Sequence, residues 1–148
     1  QANFPRKRPF RLKTEGAFHT YYMITAAQHY RSELETAEFG SSDVRVLSNF
    51  TGGYHENDPA DIRARLFFQL FNPVMWHSNL QTAFADEVDL IIEFGGGIGT
   101  ASEPEGKRPN LEGMIKKTLR GIERDVSYLA AIHYPSISDA VTSVNDEQ

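Results

Sequence analysis

The 148-residue chain has no cysteine. That excludes thiol nucleophiles, thiolate-bound zinc and disulfides, and it fits a cytoplasmic protein. No apolar run reaches the roughly 18 residues that a membrane helix needs. Positive charge is short: the net charge of -5 makes nucleic acid a poor partner. The five histidines (His19, His29, His55, His77 and His133) show no ligand spacing such as H-E-x-x-H, so no metal is expected. No serine lies in G-x-S-x-G, the setting that makes a serine nucleophilic. Residues 1–9 carry the charges of a signal peptide but no apolar h-region follows them. The first residue is Gln1 rather than methionine, so the chain is expected to be part of something longer.

What is present suits one soluble domain with its own core: 40% hydrophobic and 24% charged residues. Phe10, Leu12 and Thr14 alternate with Arg11 and Lys13, which predicts a short half-buried strand. Met23, Ala26, Ala27, Tyr30, Leu34 and Ala37 recur at helical spacing within residues 21–38. Gly40 to Asp43 break that helix. Val44 to Asn49 are β-rich enough to predict a strand, ending in the turn residues Thr51-Gly52-Gly53. Asp58-Pro59 opens a second helix, with Ile62, Leu66, Phe67 and Leu70 as its buried stripe, and Asn72-Pro73 stops it.

A third helix through Trp76, Leu80, Ala83 and Phe84 leads into Asp89 to Phe94. That continuous apolar run predicts an interior parallel strand buried on both faces. A last helix is expected from Asn110, with Leu111, Met114, Ile115, Thr118, Leu119 and Ile122 on one side. The tail from Asn145 to Gln148 is expected to fray. Alternating helix and strand argue for an α/β fold with a parallel sheet flanked by helices.

Several residues admit two readings each. Gly95, Gly97 and Gly99 follow a strand, where phosphate sites begin. But Thr100 stands where G-x-G-x-x-G needs its last glycine, so a tight turn competes with a nucleotide site. His55 to Asp58 form a polar loop able to hold an ion or simply to turn, and His29 faces solvent. Lys116, Lys117, Arg120 and Arg124 are either the solvated face of an amphipathic helix or a docking patch for an acidic partner. Arg6, Lys7, Arg8, Arg11 and Lys13 share that ambiguity. A lone histidine such as His19 is, by itself, more often structural than catalytic.

The segment Leu12-Lys13-Thr14-Glu15-Gly16-Ala17-Phe18-His19-Thr20-x-x-Met23 resembles the active-site histidine segment of the malonyl-CoA:acyl carrier protein transacylases. The acyltransferase domains of polyketide synthases share it. Val46 to Gly52 is similar to the strand and turn that follow in that family. Ile62-Arg63 through Gln69-Leu70-Phe71-Asn72-Pro73-Val74-Met75-Trp76 is similar to its I-R...Q-L-x-x-P-V-x-W helix. Glu93-Phe94-Gly95-Gly96-Gly97 sits where the family has E-x-G-P-G-K, with Gly96 and Ile98 replacing the proline and lysine. The resemblance is strongest over residues 10–97, and 123–148 form an extension without a matching motif. It implies that residues 1–148 are the C-terminal segment of an acyltransferase domain, within the α/β-hydrolase-like large subdomain.

The resemblance also implies a mechanism of ping-pong acyl transfer from malonyl-CoA, through an acyl-serine, to the phosphopantetheine thiol of an acyl carrier protein, with no other cofactor. His19 matches the general base, oriented by a main-chain carbonyl that Gln69 matches. Phe18 matches the residue whose ring favours malonyl over branched units. Lys116, Lys117 and Arg120 become candidates for carrier-protein docking. The serine, the arginine that pairs with the malonyl carboxylate and the oxyanion donors lie upstream in the family. A separate N-terminal polypeptide carrying G-x-S-x-G is therefore the expected partner. Three other readings stay open: an acyl hydrolase of the same family, a non-catalytic carrier-binding half-domain, and a nucleotide-binding module built on Gly95 to Gly99.

Overall fold

The computed structural model describes residues 14–122 and 125–146. Its elements are a 3-10 segment Tyr21–Met23, α1 Ile24–Thr36, α2 Pro59–Gln69, α3 Trp76–Ala85, β1 Leu90–Phe94, a 3-10 turn Pro104–Gly106, α4 Glu112–Leu119, β2 Ser127–Ala131 and α5 Tyr134–Asp146. They fall into two compact units, Gln1–Met75 and Trp76–Gln148. The strand expected around Phe10 and Leu12, the basic cluster from Arg6 to Lys13, and Arg124 lie outside the described residues.

The first unit is a helix pair. α2 starts where Asp58 and Pro59 place it: the Asp58 carboxylate accepts from Ala60 N at 3.3 Å and Asp61 N at 3.1 Å. Those amides have no intrahelical partner, and proline gives up an N–H that would also have lacked one. α1 packs on α2 and buries Ala27 and Leu34. Its C-terminal end is closed from outside the helix. Arg63 of α2 donates from Nε to Leu34 O and from Nη2 to Ala37 O, both at 3.0 Å, with its guanidinium facing the Phe39 ring. Ala26 and Tyr30, which share the helical spacing of the buried Ala27 and Leu34, are exposed; among the described residues α1 packs chiefly on α2. Ile62, Leu66, Phe67 and Leu70 of α2 are half-buried rather than buried.

No strand forms over Val44 to Asn49. A single antiparallel bridge joins Leu47 to Tyr54, and Val44 and Val46 are exposed, at 72% and 51%. The chain is held instead as a tight turn. Ser48 N donates to Gly53 O and Gly52 N to Ser48 O, each at 2.8 Å, while the buried Ser48 Oγ accepts from Phe50 N and Thr51 N. Gly52 takes the left-handed φ of 75° that this turn requires. β-rich composition lost here to turn chemistry.

The second unit is built on β1 and β2, which pair in parallel from Leu90↔Ser127 to Phe94↔Ala131. α4 lies on the crossover between them, as a parallel pair demands. Leu80, Phe84 and Ile115 form the buried centre, with Trp76, Ile91, Leu111, Leu119, Ile122, Val126 and Tyr128 packed around it. α5 packs on β2 and buries Ala140. Two expectations are corrected here. Among the described residues β1 has one partner strand rather than two, and it is half-buried with Phe94 exposed, so it is not an interior strand buried on both faces. Met114 is likewise exposed, because only one side of the eight-residue α4 meets the sheet. The extension after Ile122, which offered no motif, supplies β2 and α5. Of the tail expected to fray, Asn145 and Asp146 lie within α5, and Glu147 and Gln148 lie outside the described residues.

Candidate active site

His19 lies in the turn that precedes Tyr21–Met23, with a left-handed φ of 63°. That conformation costs a non-glycine residue roughly 1–2 kcal/mol, so something must hold it there. The end of α2 does. A helix leaves its last carbonyls without intrahelical donors. His19 N–H donates to Leu70 O at 3.0 Å, and the ring Nδ1 lies 3.0 Å from Gln69 O. A carbonyl only accepts, so Nδ1 carries the proton and Nε2 of the neutral ring presents a lone pair. The turn itself is closed by Thr20 Oγ1 donating to Ala17 O and Met23 N donating to Thr20 O. An imidazole fixed this way can take a proton at Nε2 from a hydroxyl or thiol brought to it.

Phe18, beside His19, is 52% exposed. Its ring lies over Gly16, where a Cβ would come within 3.0 Å of Cε2. Beneath the end of α2 sits an aromatic cluster. Phe50 stacks on Phe68 with centroids 5.3 Å apart, and Phe67 meets Phe68 and Phe71 edge-on at 5.4 Å. Gln69 enters through its main chain.

The second unit holds a residue that the sequence showed only as part of a motif, with no role of its own. Glu93 on β1 is 7% exposed, and its carboxylate accepts from Asn110 N at 2.7 Å, Leu111 N at 3.0 Å and the Tyr128 hydroxyl at 2.5 Å. Leu111 stands at the N-cap of α4 and offers no side-chain cap. Glu93 therefore caps the helix from the neighbouring strand. Burial pushes its pKa up, but the hydrogen bonds from Tyr128 and the amides of Asn110, Leu111 and Glu112 outweigh it and hold the group below the ordinary carboxylate value. A signal was present: one carboxylate inside an otherwise apolar run is expected to be paired when buried.

On α4, Lys116 bonds Glu112 at 2.6 Å one turn earlier. Lys117 and Arg120 are exposed. Lys117 also borders an open pocket of about 340 Å³ with Trp76, His77, Met114, Thr118 and Gly121.

The glycine segment is a turn folded back on its own loop. Ile98 pairs with Arg108, and Gly97, at φ 65°, lies so close to Lys107, Arg108 O and Ile132 that a Cβ would meet them at 3.0–3.1 Å. His55 N donates to Val46 O, and its buried Nδ1 has no partner. Burial, then the Arg65 charge, lower its pKa against the opposing Asp61. His133 Nδ1 accepts from Ser136 N at 3.2 Å at the start of α5. Among the described residues no cluster of His, Asp and Glu is able to hold a metal, and no helix is long and apolar enough to cross a membrane.

No protein-family model matches the chain. The malonyl CoA-acyl carrier protein transacylase of Bacillus subtilis (strain 168) is 27% identical over 141 residues, covering 95% of this chain and 39% of that protein. The enzyme of the same name from Mycolicibacterium smegmatis is 31% identical over 120 residues, covering 78% of this chain and 37% of its own length. A solved structure of a type II PKS acyl-carrier protein in complex with its malonyl-transacylase superposes with a TM-score of 0.74 at 25% identity, over 93% of this chain and 39% of that one. The fold is thus the α/β acyltransferase fold. Its curated relatives are malonyl CoA-acyl carrier protein transacylases, and the chain spans less than two-fifths of the length of the curated relatives it matches.

Proposed function

We propose that this chain corresponds to the C-terminal portion of a malonyl-type acyltransferase and supplies its general base, His19. The observation that carries the reading is the 3.0 Å contact from His19 Nδ1 to Gln69 O, which leaves Nε2 able to accept a proton. In this reading a serine on a separate N-terminal part attacks malonyl-CoA while Nε2 takes its hydroxyl proton. The tetrahedral intermediate then expels CoA, whose thiolate is protonated from the imidazolium. In the second half, Nε2 takes the proton of the phosphopantetheine thiol, which attacks the acyl-serine. The proton returns to the departing serine. The reaction consumes no other reactant. No carboxylate is needed behind the histidine, because a helix-end carbonyl faces the edge of the ring that becomes positive.

Phe18, half-exposed beside the base, is placed in this scheme against the acyl group, where its ring restricts branching at C2. Lys116, Lys117 and Arg120 are proposed to meet the acidic carrier protein, with Lys117 and Arg120 contributing most because Lys116 is already bonded to Glu112. The neighbour that holds an acyl-carrier protein supports that partner class. Hydrolysis is the same chemistry with water in place of the thiol.

The test is reconstitution. The chain is mixed with a separately expressed N-terminal part of a relative carrying G-x-S-x-G, malonyl-CoA is added, and intact masses are read. A malonyl adduct on the serine-bearing part, transferred to holo-carrier protein and lost with His19→Ala, is the expected result. Equal acylation with His19→Ala overturns the assignment of the base. Release of free malonate without transfer to the carrier identifies the hydrolase instead.

A further inference from the structure

The end of α2 presents three consecutive carbonyls, and each has its own donor. Leu70 O takes the His19 amide, Gln69 O takes His19 Nδ1, and Phe68 O takes Asn72 Nδ2 at 2.7 Å together with the Leu70 amide and Phe71 N at 3.4 Å. The contacts to Leu70 and Gln69 belong to the proposed base, whereas the one to Phe68 does not touch it. α2 ends at Gln69, and Pro73 disfavours helical backbone at Asn72, so the helix does not resume there. The Asn72 side chain reaches back four residues to close the last turn.

We infer that Asn72 is a positioning residue for His19, acting through the α2 carbonyl end; the inference rests on the reading of His19 as the base. Helix ends fray, and a last-turn peptide plane held by backbone amides alone is free to swing toward water. Holding Phe68 O fixes the plane next to the one that carries Gln69 O, and so fixes the direction in which Gln69 O points. Phe68 and Phe71, the residues on either side of Gln69 and Leu70, are also tied into the aromatic cluster. Asn72 adds a side-chain bond of 2.7 Å to a carbonyl that the Leu70 and Phe71 amides also reach. If Gln69 O swings away, Nδ1 loses its acceptor and the imidazole proton is free to move to Nε2, the atom that must be bare to receive a proton.

The experiment uses the whole chain and needs no companion. Nitrogen-15 labelling and long-range proton–nitrogen correlation at about pH 8, where an ordinary imidazole is neutral, read the tautomer of each histidine. His19 is assigned by its disappearance in His19→Ala. The wild-type ring is expected to carry its proton on Nδ1. In Asn72→Ala and Asn72→Asp the ratio of Nδ1–H to Nε2–H is expected to fall on the order of fivefold, the change one net hydrogen bond produces. Asn72→Ser, whose hydroxyl can bond the carbonyl four residues back, is expected to restore most of it. Circular dichroism confirms folding, and the aspartate and alanine variants stand in for each other if one fails to fold. An unchanged tautomer in a folded alanine or aspartate variant overturns the positioning role. A wild-type proton on Nε2 overturns the Gln69 clamp itself, which is a separate failure.

Discussion

Replacing Glu93 with glutamine tests how the second unit is held together, because one carboxylate joins β1, β2 and the N-terminus of α4. It accepts from the Asn110 and Leu111 amides and from the Tyr128 hydroxyl. Glutamine keeps one oxygen, which can stay on Asn110 N and Leu111 N, since the same Oε1 already reaches both at 2.7 and 3.2 Å. Its NH2 then faces Tyr128, whose hydroxyl must turn round to accept. What is lost is the charge in bonds that are each worth about 1.5–3 kcal/mol when ionised and about 1 when neutral, so a net loss of about 2 kcal/mol is expected. Alanine strands these donors and leaves a void, for about 4 kcal/mol.

The assay is urea unfolding followed through Trp76. It is the only tryptophan in the chain and packs beside Leu80, Phe84 and Ile115, so its emission reports this unit. The pH dependence has a definite sign. The folded pKa of Glu93 lies below its ordinary value of 4.5, so the unfolded state binds the proton more readily. The stability it contributes is complete above pH 4.5 and drains away as pH falls through the lower folded value. The gap between wild type and Glu93→Gln should therefore be widest near neutrality and narrow below pH 4.5. A loss under about 0.5 kcal/mol at neutral pH, or a gap that stays constant into acid, would refute the reasoning.

Arg63→Ala should destabilise the first unit by about 2 kcal/mol, since two charge-assisted bonds to the α1 carbonyl end vanish together; Arg63→Lys should recover less than half, because an ammonium lacks the fork that reaches both carbonyls. Far-UV circular dichroism during thermal unfolding measures both. Gly97→Ala should cost about 2 kcal/mol in Trp76-monitored unfolding, because φ is 65° and the new methyl meets Arg108 O at 3.1 Å, whereas Gly96→Ala, with open space around it, should cost under about 1. Lys117→Glu with Arg120→Glu should weaken binding to an acidic carrier protein by about tenfold or more at low salt in titration calorimetry, with the difference closing as salt rises. Equal binding at every salt concentration removes α4 from the docking surface.

How much was legible depended on whether a feature is written locally. Asp58-Pro59 and Asn72-Pro73 each act within one turn, so the start of α2 and its stop could be read directly. The run from Asp89 to Phe94 announced a strand, but its neighbours are properties of the whole sheet, so the interior placement failed. Val44 to Asn49 failed for the opposite reason. β-branched residues were counted, yet Ser48 and Gly52 supplied a turn whose local hydrogen bonds outcompete a ladder. β2 and α5 went unseen because no motif marks them, although Ser127 to Ala131 has a strand's length and Pro135 a helix's opening. Ala26, Tyr30 and Met114 show that helical periodicity finds the face of a helix before it finds how much of that face is covered.

The same distinction governs the site. His19 and Gln69 are paired by resemblance, because both lie in contiguous patterns. The physical link between them is a main-chain oxygen, which no side-chain spacing encodes. Fifty residues separate the ring from the carbonyl it meets, and the contact exists because α2 happens to end there. Glu93 shows the converse: a carboxylate plain in the sequence, whose partners include amides seventeen and eighteen residues away, just before α4. In both places a helix end is completed by a group from another element, His19 at the C-terminus of α2 and Glu93 at the N-terminus of α4. The charges are matched to the ends, a proton-bearing ring edge against carbonyls and a carboxylate against amides. In each pair only the side chain can be varied by a point substitution, while its backbone partner stays. Mutagenesis of Gln69 should therefore be nearly silent where mutagenesis of His19 is not, and a Gln69→Ala variant that keeps the His19 tautomer would show that the carbonyl alone carries the contact.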